Sequence, residues 1–581
     1  MAIQNREPII HFHYIKIGHD VFWNKFFEVI PAISIFLILG IPLLFSFFYP
    51  IFVACFIIIY DILWLFKISR YSAHLAHGYT LLKKTTAQNW HQECHNLMAI
   101  GSHLAEIKGE KEDLERVYPF IKIPFLRYFF VRAERISHYK LLKEKISEFT
   151  EMMNYKDKIK NYKDIYHLII LATYDEDVDI LRQAIKALKN TGYPKEKILF
   201  VLATEERAKE HAIEVSQILE KEFGHDFGLF FPVMHPADIP SEVKGKGANI
   251  SYAALKVKEI INQRKILTDN VIVTTLDADT CIHPQYLWKL TYDYIRTPNR
   301  KHYSFQPVPI YSNNIWDVPV PMTVISISCS FWQIIQSSRA HLLRNFSVHA
   351  QSLDALIDTN FWSRKTIVED GHQFWRTYMR YDGHHEVIPL CVPVFQDAVL
   401  GYTYWQTIRN QYLQLRRWAW GVTDFPYVMK NFIKNKKIPF WQKSLETWRV
   451  FEAPFSLATA PLVLTFVAWM PIFLNPNFRN NNILAINLPA VCGGLLTIAM
   501  IGLAISVIVS TLLIPPPPPR SEYRRKNKLI LALVWITLPV LSIFFSSLPS
   551  VDAQIKLARG RYMEIPGFFV TEKIRKNKNK G

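Results

Sequence analysis

Three short groups of charged and aromatic residues occur in a fixed order in this chain of 581 residues. They are Asp277-Ala278-Asp279, Val368-Glu369-Asp370 and Gln414-Leu415-Arg416-Arg417-Trp418. A pair of carboxylates can bind a divalent cation, and a carboxylate at the start of a helix can act as a base. An arginine next to a tryptophan can hold a diphosphate and the flat face of a sugar ring. Together, these chemistries indicate a site for a phosphorylated sugar.

Asp277 and Asp279 flank one small residue directly after the apolar run VIVTTL. At the end of a strand, two such carboxylates can converge on one hard cation, and their oxygens suit Mg²⁺ or Mn²⁺. The cation in turn neutralises a nucleotide diphosphate. Surface turns often contain the same pattern. The following CIHPQYL, in which Pro284 opens a predicted helix, favours the metal interpretation.

Lys246 lies in the stretch KGKGANISYAAL, which runs into an amphipathic helix. The glycines permit a close approach of the backbone, and a lysine at a helix start can meet a phosphate. A solvated basic loop is the alternative interpretation.

Glu369 and Asp370 precede GHQFWRTYMR, an aromatic and basic segment with helical spacing. A carboxylate at this position can simply cap the helix, because it interacts favourably with the helix dipole. The functional interpretation is a general base that deprotonates an acceptor hydroxyl.

Gln414 and Trp418 are four residues apart, so a helix places them on one face with Arg417 beside them. Such a helix can bind a diphosphate and an acceptor. It can also lie at a membrane surface, anchored by Trp418 and Trp420, and both interpretations can hold at once.

The elements that must position these residues begin near residue 165, where apolar strands alternate with amphipathic helices. This order predicts a mostly parallel sheet with a ligand site at the carboxyl ends of its strands. Acidic residues stand at these ends, namely Asp175, Glu176, Glu205, Asp277 and Asp279.

Long uncharged stretches flank this region, and the first covers residues 29–60. A single membrane span needs roughly 20 residues, so we expect a helical hairpin, 27–48 and 51–67. Two further spans are predicted at 453–474 and 488–513. A buried helix pair of a soluble protein is the alternative for the hairpin.

The charge balance fits a membrane protein. The chain has 68 Lys+Arg against 50 Asp+Glu, a net charge of +18, and the basic residues flank the apolar stretches. They therefore set topology, with both chain ends in the cytoplasm, and no nucleic acid is expected as a partner. The six scattered cysteines form no CxxC pair, which fits a catalytic domain in the reducing cytosol. No cleavable signal peptide is evident.

We expect five units along the chain. They are an N-terminal segment with a transmembrane hairpin (1–67), an amphipathic helical linker (68–160), an α/β catalytic domain (161–425), interfacial and transmembrane helices (426–551) and a basic tail (552–581). The segment 529–551 contains Pro539 and Pro549, and a basic tail follows it. We therefore predict that this segment re-enters or forms a short hairpin and does not cross the membrane as one straight span.

The three groups in this order resemble the membrane-integrated branch of the family 2 glycosyltransferases, which includes cellulose, hyaluronan and chitin synthases. The resemblance covers roughly residues 165–425 and implies a GT-A fold, a Rossmann-like α/β domain flanked by transmembrane helices. The tail GRYMEIPGFFVTEK is similar to a gating loop of that branch.

The resemblance also implies roles for single residues. Asp277 and Asp279 would bind the metal, Mg²⁺ or Mn²⁺, and the donor diphosphate. Asp370, beside Glu369, would be the catalytic base. Gln414, Arg417 and Trp418 would hold the diphosphate and the acceptor. The remaining donor contacts would come from Tyr174, Glu176, Glu205 and Lys246.

Two positions depart from the family pattern. Glu205-Glu206 stands where the family has its first aspartate, and Val368 stands where it has a threonine. The implied enzyme is an inverting, hexosyltransferase-like enzyme of polysaccharide biosynthesis in the plasma membrane. It would move a sugar from a nucleotide donor, a UDP-sugar by the resemblance, to a growing polysaccharide or a lipid acceptor. A non-catalytic membrane scaffold that keeps this fold is the alternative.

Overall fold

The computed structural model describes residues 18–127, 131–516 and 533–560. The strands of its sheet are β1 (Tyr166–Ala172), β2 (Ile198–Glu205), β3 (Leu229–His235), β4 (Val271–Asp277), β5 (Cys281–Ile282), β6 (Tyr303–Tyr311), β7 (His349–Ser352) and β8 (Glu386–Gln396). The helices before and between these strands are α1 (Gly18–Phe48), α2 (Pro50–Ala87), α3 (Trp90–Met98), α4 (Ile100–Val117), α5 (Ala133–Met153), α6 (Val178–Lys189), α7 (Lys209–Phe223), α8 (Lys246–Gln263), α9 (Tyr286–Arg296), α10 (Val320–Ser337), α11 (Leu353–Asp358) and α12 (Glu369–Arg380). The helices after the last strand are α13 (Tyr404–Ala419), α14 (Asp424–Lys434), α15 (Phe440–Thr465), α16 (Met470–Leu474), α17 (Pro476–Asn481), α18 (Ile483–Leu513), α19 (Leu538–Ser542) and α20 (Leu548–Arg559).

The eight strands form one mixed sheet in the order β3-β2-β1-β4-β7-β6-β8-β5. Strands β3, β2, β1 and β4 pair in parallel, as do β6 and β8. Strand β7 is antiparallel to β4 and β6, and β5 is antiparallel to β8. The predicted fold class, an α/β domain with a mostly parallel sheet beside long apolar helices, is confirmed.

Strand β1 shows why these residues form the centre of the sheet. Its successive side chains point to opposite faces, and both faces are covered. Leu168 and Ile170 pack with residues of α8, whereas Ile169 and Leu171 pack in the cluster that contains residues of α6. The strand is therefore apolar from Leu168 to Ala172.

The register of the parallel strands brings their carboxyl ends to one edge. Ala172 of β1 lies opposite Ala203 of β2 on one side and Asp277 of β4 on the other. Residues just after these positions, including Tyr174 and Glu205, therefore border the same crevice as Asp277.

Five helices are long and apolar enough, by length and composition, to cross a membrane within the described residues. They are Phe22–Phe48, Pro50–Ala87, Phe440–Leu474, Ile483–Leu513 and Trp535–Arg559. Helix α2 continues to Ala87, 20 residues beyond the predicted end at residue 67, because neither proline nor a terminating glycine interrupts it. The second and third of these helices are joined by an ion pair between Lys67 of α2 and Glu452 of α15 at 2.5 Å.

The last of these runs, Trp535–Arg559, is called the terminal helix below. It consists of a 3-10 turn, α19, a π-helical turn and α20 in direct succession. The prediction of a short hairpin is wrong for the described part of this segment, because the chain does not turn back there. Pro539 and Pro549 each lie in the first turn of a helical piece, where proline is tolerated.

The terminal helix contacts residues of the α/β domain near both of its ends. At its start, Trp535 stacks on Phe331 of α10. Towards its end, Gln554 donates a hydrogen bond to the Pro454 carbonyl of α15, close to Glu452. Asp552 pairs with Arg416 of α13 at 3.2 Å. Both ends of the terminal helix thus lie next to the α/β domain.

Candidate active site

The side chains that could do chemistry meet at Ser347, in the loop before β7. The Ser347 hydroxyl donates to Asp277 Oδ2 at 2.6 Å, and its backbone N–H donates to Asp370 Oδ2 at 2.5 Å. Its carbonyl accepts a hydrogen bond from Lys246 Nζ at 3.0 Å. One residue therefore links Asp277, Asp370 and Lys246, which are far apart in the sequence.

Lys246 is the first residue of α8, so its ammonium lies at the positive end of that helix. Its Nζ donates to Asp277 Oδ1 at 2.6 Å and lies 3.8 Å from Glu369 Oε1. Burial alone would lower the pKa of Lys246, but the charges of Asp277, Glu369 and Asp370 raise it above its ordinary value. Lys246 is therefore a fixed cation, not a solvated loop residue.

Asp277 is held on its other oxygen as well. Gln396, the last residue of β8, donates from Nε2 to Asp277 Oδ2 at 3.1 Å and to the Ser347 hydroxyl at 2.7 Å. The carboxylate thus has a defined orientation at the carboxyl end of β4.

Asp279 is buried two residues further along. Its Oδ2 accepts a hydrogen bond from the Asp397 backbone N–H at 3.0 Å, and its carbonyl accepts one from Asn313 at 3.0 Å. The two aspartates offer hard oxygen ligands at neighbouring positions. Mg²⁺ is commonly bound by one or two carboxylates, the rest of its ligands being water and substrate phosphate oxygens. The donor set of Asp277 and Asp279 fits such an ion.

Glu369 and Asp370 begin helix α12. Asp370 accepts from the Gly371 N–H at 2.8 Å in addition to Ser347, so both of its oxygens are hydrogen-bonded to backbone donors. The helix-cap interpretation is therefore part of its role, and the same bonds aim the carboxylate at the crevice. Glu369 is buried, and this burial raises the pKa of its carboxyl to about 7, with Lys246 opposing and Asp370 adding to the rise.

A second group borders the crevice at the ends of β1 and β2. The guanidinium of Arg207 lies over the Tyr174 ring at 4.7 Å from its centroid. Arg207 also donates to Glu205 Oε2, and Glu176 accepts from the Tyr174 N–H at 2.8 Å. The predicted donor residues Tyr174, Glu176 and Glu205 therefore form one patch, with Arg207 as an added cation.

Helix α13 reaches the site through Tyr311, the last residue of β6. The rings of Tyr311 and Trp418 lie 5.8 Å apart and are tilted by 37°. Burial raises the pKa of Tyr311, and the negative charges of Asp277, Asp279 and Asp370 contribute. Trp418 therefore packs against a tyrosine whose pKa is raised in part by the charges of all three carboxylates.

Gln414 and Arg417 lie on the same helix, and both are partly buried. The side-chain oxygen of Gln414 accepts a hydrogen bond from Gln411 at 3.2 Å.

Four residues of the site carry no sequence signal that we recognised: Ser347, Gln396, Tyr311 and Arg207. Three of them could have been suspected by position, because Tyr311 and Gln396 end strands of the sheet and Arg207 follows one. Ser347 has no such signal, since it lies in an irregular loop.

A buried hydrogen bond supports the start of α12. His372 Nδ1 lies 2.6 Å from Asp424 Oδ1, and Tyr427 packs against the His372 ring. Burial raises the pKa of Asp424, although His372 lowers it in part. This pair fixes α12 against α14, two residues after Asp370.

Comparisons with known proteins show only a distant likeness. No protein-family model and no curated protein matches the chain. Among solved structures, the mannosyltransferase PcManGT from Pyrobaculum calidifontis, in complex with GDP-Man and Mn²⁺, is 13% identical with a TM-score of 0.36, over 67% of this chain and 86% of that one. TarS 1-349 from S. aureus, in complex with UDP-GlcNAc, is also 13% identical, with a TM-score of 0.30 over 64% of this chain and 91% of that one. At values this low, neither likeness carries an argument about what this chain does.

Proposed function

We propose that this protein is a membrane glycosyltransferase that moves a sugar from a nucleotide diphosphate donor to a hydroxyl acceptor, with inversion at the anomeric carbon. The observation that carries the proposal is the linkage of Lys246, Asp277 and Asp370 through Ser347 at the carboxyl edge of the sheet. A fixed cation, a metal-binding carboxylate and a separate carboxylate are the groups that a displacement at a sugar diphosphate requires.

In this mechanism, Tyr174 and Arg207 hold the nucleotide base, and Lys246 and Arg417 face the diphosphate. A divalent cation, when bound to Asp277 and Asp279, neutralises the charge of the diphosphate. The acceptor oxygen forms its bond to the anomeric carbon while the bond to the diphosphate oxygen breaks. That oxygen keeps the electron pair, and the hydroxyl proton passes to Asp370.

Trp418 and Tyr311 lie where the acceptor would approach. Aromatic faces bind the apolar faces of sugar rings, so this pair provides the acceptor side of the crevice. The family 2 assignment and a UDP-linked donor belong to the same proposal, and they rest on the order of the three motifs.

The test uses the full chain, purified in detergent and incubated with a panel of nucleotide sugars. We expect one of them to be consumed, with release of the nucleoside diphosphate and a product heavier by one sugar in mass spectrometry. Asp370→Asn should retain donor binding, because Lys246 and Asp277 remain, while turnover falls by about 10²–10⁴-fold.

Asp226→Asn is the matched control, since Asp226 pairs with Lys189 at the surface, away from the crevice. Turnover that survives in Asp370→Asn would reduce Asp370 to a helix cap. Failure of the wild-type protein to bind any nucleotide sugar would favour the non-catalytic scaffold.

A further inference from the structure

A cavity of about 480 Å³ lies between the start of α10, helix α13 and the terminal helix. Its volume is within the roughly 300–1,000 Å³ of small-molecule sites. Met322, Ile408, Leu541 and Phe544 provide apolar walls, with Tyr412 at the side towards Arg416. Such a cavity favours a hydrocarbon ligand, since an apolar chain gains from leaving water.

Among the described residues that line this cavity, Arg409 is the only charged one. Its side chain is exposed, and no described residue forms an ion pair or a hydrogen bond with it. The planar guanidinium binds phosphate and carboxylate oxygens in a two-pronged geometry. An apolar cavity with one unpaired arginine therefore matches a ligand that has an anionic group at one end of a hydrocarbon chain.

The cavity also lies at the level expected for lipid headgroups. The terminal helix, which forms one wall, stays next to the α/β domain along its whole length. Tyr402 and Trp405, at the start of α13, are 78% and 75% exposed. Exposed tyrosine and tryptophan of this kind concentrate at the membrane–water interface.

We infer that this cavity binds the hydrocarbon chain of a membrane lipid and that Arg409 binds the phosphate of the same lipid.

The experiment places the full chain in micelles of dodecyl maltoside, a detergent without phosphate, that contain a small fraction of phosphatidic acid with a diazirine on its acyl chain. After photolysis, peptide mapping should locate the cross-links at Ile408, Leu541 and Phe544. A diacylglycerol with the same diazirine should label about tenfold less, because it lacks the anion that Arg409 binds. Arg409→Gln should remove this difference.

Arg479→Gln is the charge-matched control, since Arg479 is exposed on α17 and outside the cavity. It should label like the wild-type protein. Ile408→Trp fills the cavity through an apolar lining residue and leaves Arg409 unchanged, and it should also suppress labelling. Nucleotide-sugar binding shows that each variant is folded. Labelling that is scattered over the membrane helices, or that is unchanged in both Arg409→Gln and Ile408→Trp, would overturn the lipid site.

The lipid site and the proposed function fail separately. Specific labelling of a protein that turns over no nucleotide sugar would leave the lipid site standing and remove the glycosyltransferase. Sugar transfer with no specific labelling would remove the lipid site and leave the glycosyltransferase standing.

Discussion

At the level of single residues, the site depends on long-range hydrogen bonds that no sequence motif predicts. Ser347 adopts φ +45°, a left-handed conformation that is uncommon for residues other than glycine. Such strain persists where surrounding contacts fix the residue, and here the N–H, carbonyl and hydroxyl of Ser347 are all hydrogen-bonded.

The sequence predicts which charged side chains belong to the site better than it predicts the hydrogen bonds that join them. Asp277, Asp370 and Lys246 were predicted as candidates from residue type and local context, and the structure brings all three together. Ser347 and Gln396 could not be predicted in the same way, because each acts through partners dozens of residues away. Their role depends on how strands β7 and β8 enter the sheet.

Metal dependence is the first prediction at this scale. We expect EDTA to abolish sugar transfer and Mg²⁺ or Mn²⁺ to restore it. Asp277→Ala or Asp279→Ala should reduce turnover on the order of 10³-fold or more, because the diphosphate charge is no longer neutralised. Asp226→Ala is the surface control. Full turnover of either site variant in metal-free buffer would exclude the metal site.

Glu369 predicts a dependence of stability on pH. Its carboxyl has an ordinary pKa of 4.5, and burial raises the pKa to about 7 in the folded protein. Below pH 4.5 the Glu369 carboxyl is protonated in both the folded and the unfolded protein, so it does not change the free energy of unfolding. As the pH rises through this window, the unfolded chain loses the proton first, so the folded protein becomes less stable.

Glu369→Gln should therefore gain stability relative to the wild-type protein between about pH 4.5 and pH 7, on the order of a few kcal/mol at the upper end. Thermal unfolding in detergent at several pH values measures this gain. Glu210→Gln, an exposed position, is the control and should give a constant difference. A constant difference for Glu369→Gln as well would show that its pKa is not raised.

At the level of elements, the site requires a close approach of α8 and α12. A Cβ atom added at Gly247 would lie 2.6 Å from the Ser363 carbonyl oxygen and 2.9 Å from the Glu369 Cβ. Backbone cannot yield as a flexible side chain can, so only glycine permits this packing. The packing in turn places Lys246 beside Asp277 and Glu369.

Gly247→Ala should therefore separate the two helices and displace Lys246. We expect a loss of about 1–3 kcal/mol in the free energy of unfolding and a larger relative loss of donor binding. Gly109→Ala is the matched control, because a Cβ at this position of α4 meets nothing within 4 Å. There the same substitution should stabilise the helix by up to about 1 kcal/mol. Equal donor binding in both variants would contradict the role of the close approach.

Elements that are buried on both faces were the easiest to predict. Strands β1, β2 and β4 read as continuous apolar runs, since helices cover them on either side. The antiparallel part of the sheet was not predicted, because the pairing of β7 with β4 and β6 depends on strands distant in sequence. The extension of α2 to Ala87 was missed because its polar turns resemble a linker.

At the level of the whole molecule, the terminal helix decides the topology. Five span-length helices would place the two ends of the chain on opposite sides of a membrane. However, Trp535 contacts α10 and Asp552 contacts α13, and both partners belong to the α/β domain or border it. We therefore propose that this helix does not cross the membrane. Four crossings would then remain, and they would return the chain to the side from which it started.

We therefore predict that the chain beyond Arg559 lies on the same side of the membrane as the α/β domain, which we propose to be the cytoplasm. The predicted FFVTEK element belongs to this tail and lies outside the described residues. Basic residues concentrate there, including Lys573, Arg575 and Lys576, and positive charge favours the cytoplasmic side.

A tag at the C-terminus should resist external protease in intact cells and become cleavable after permeabilisation. A tag inserted after Asn481, at the end of the short helix α17 between α16 and α18, is the matched control. This segment lies at the opposite end of the membrane helices from the α/β domain, so protease should reach it from outside. Cleavage of both tags in intact cells would mean that the terminal helix crosses the membrane after all.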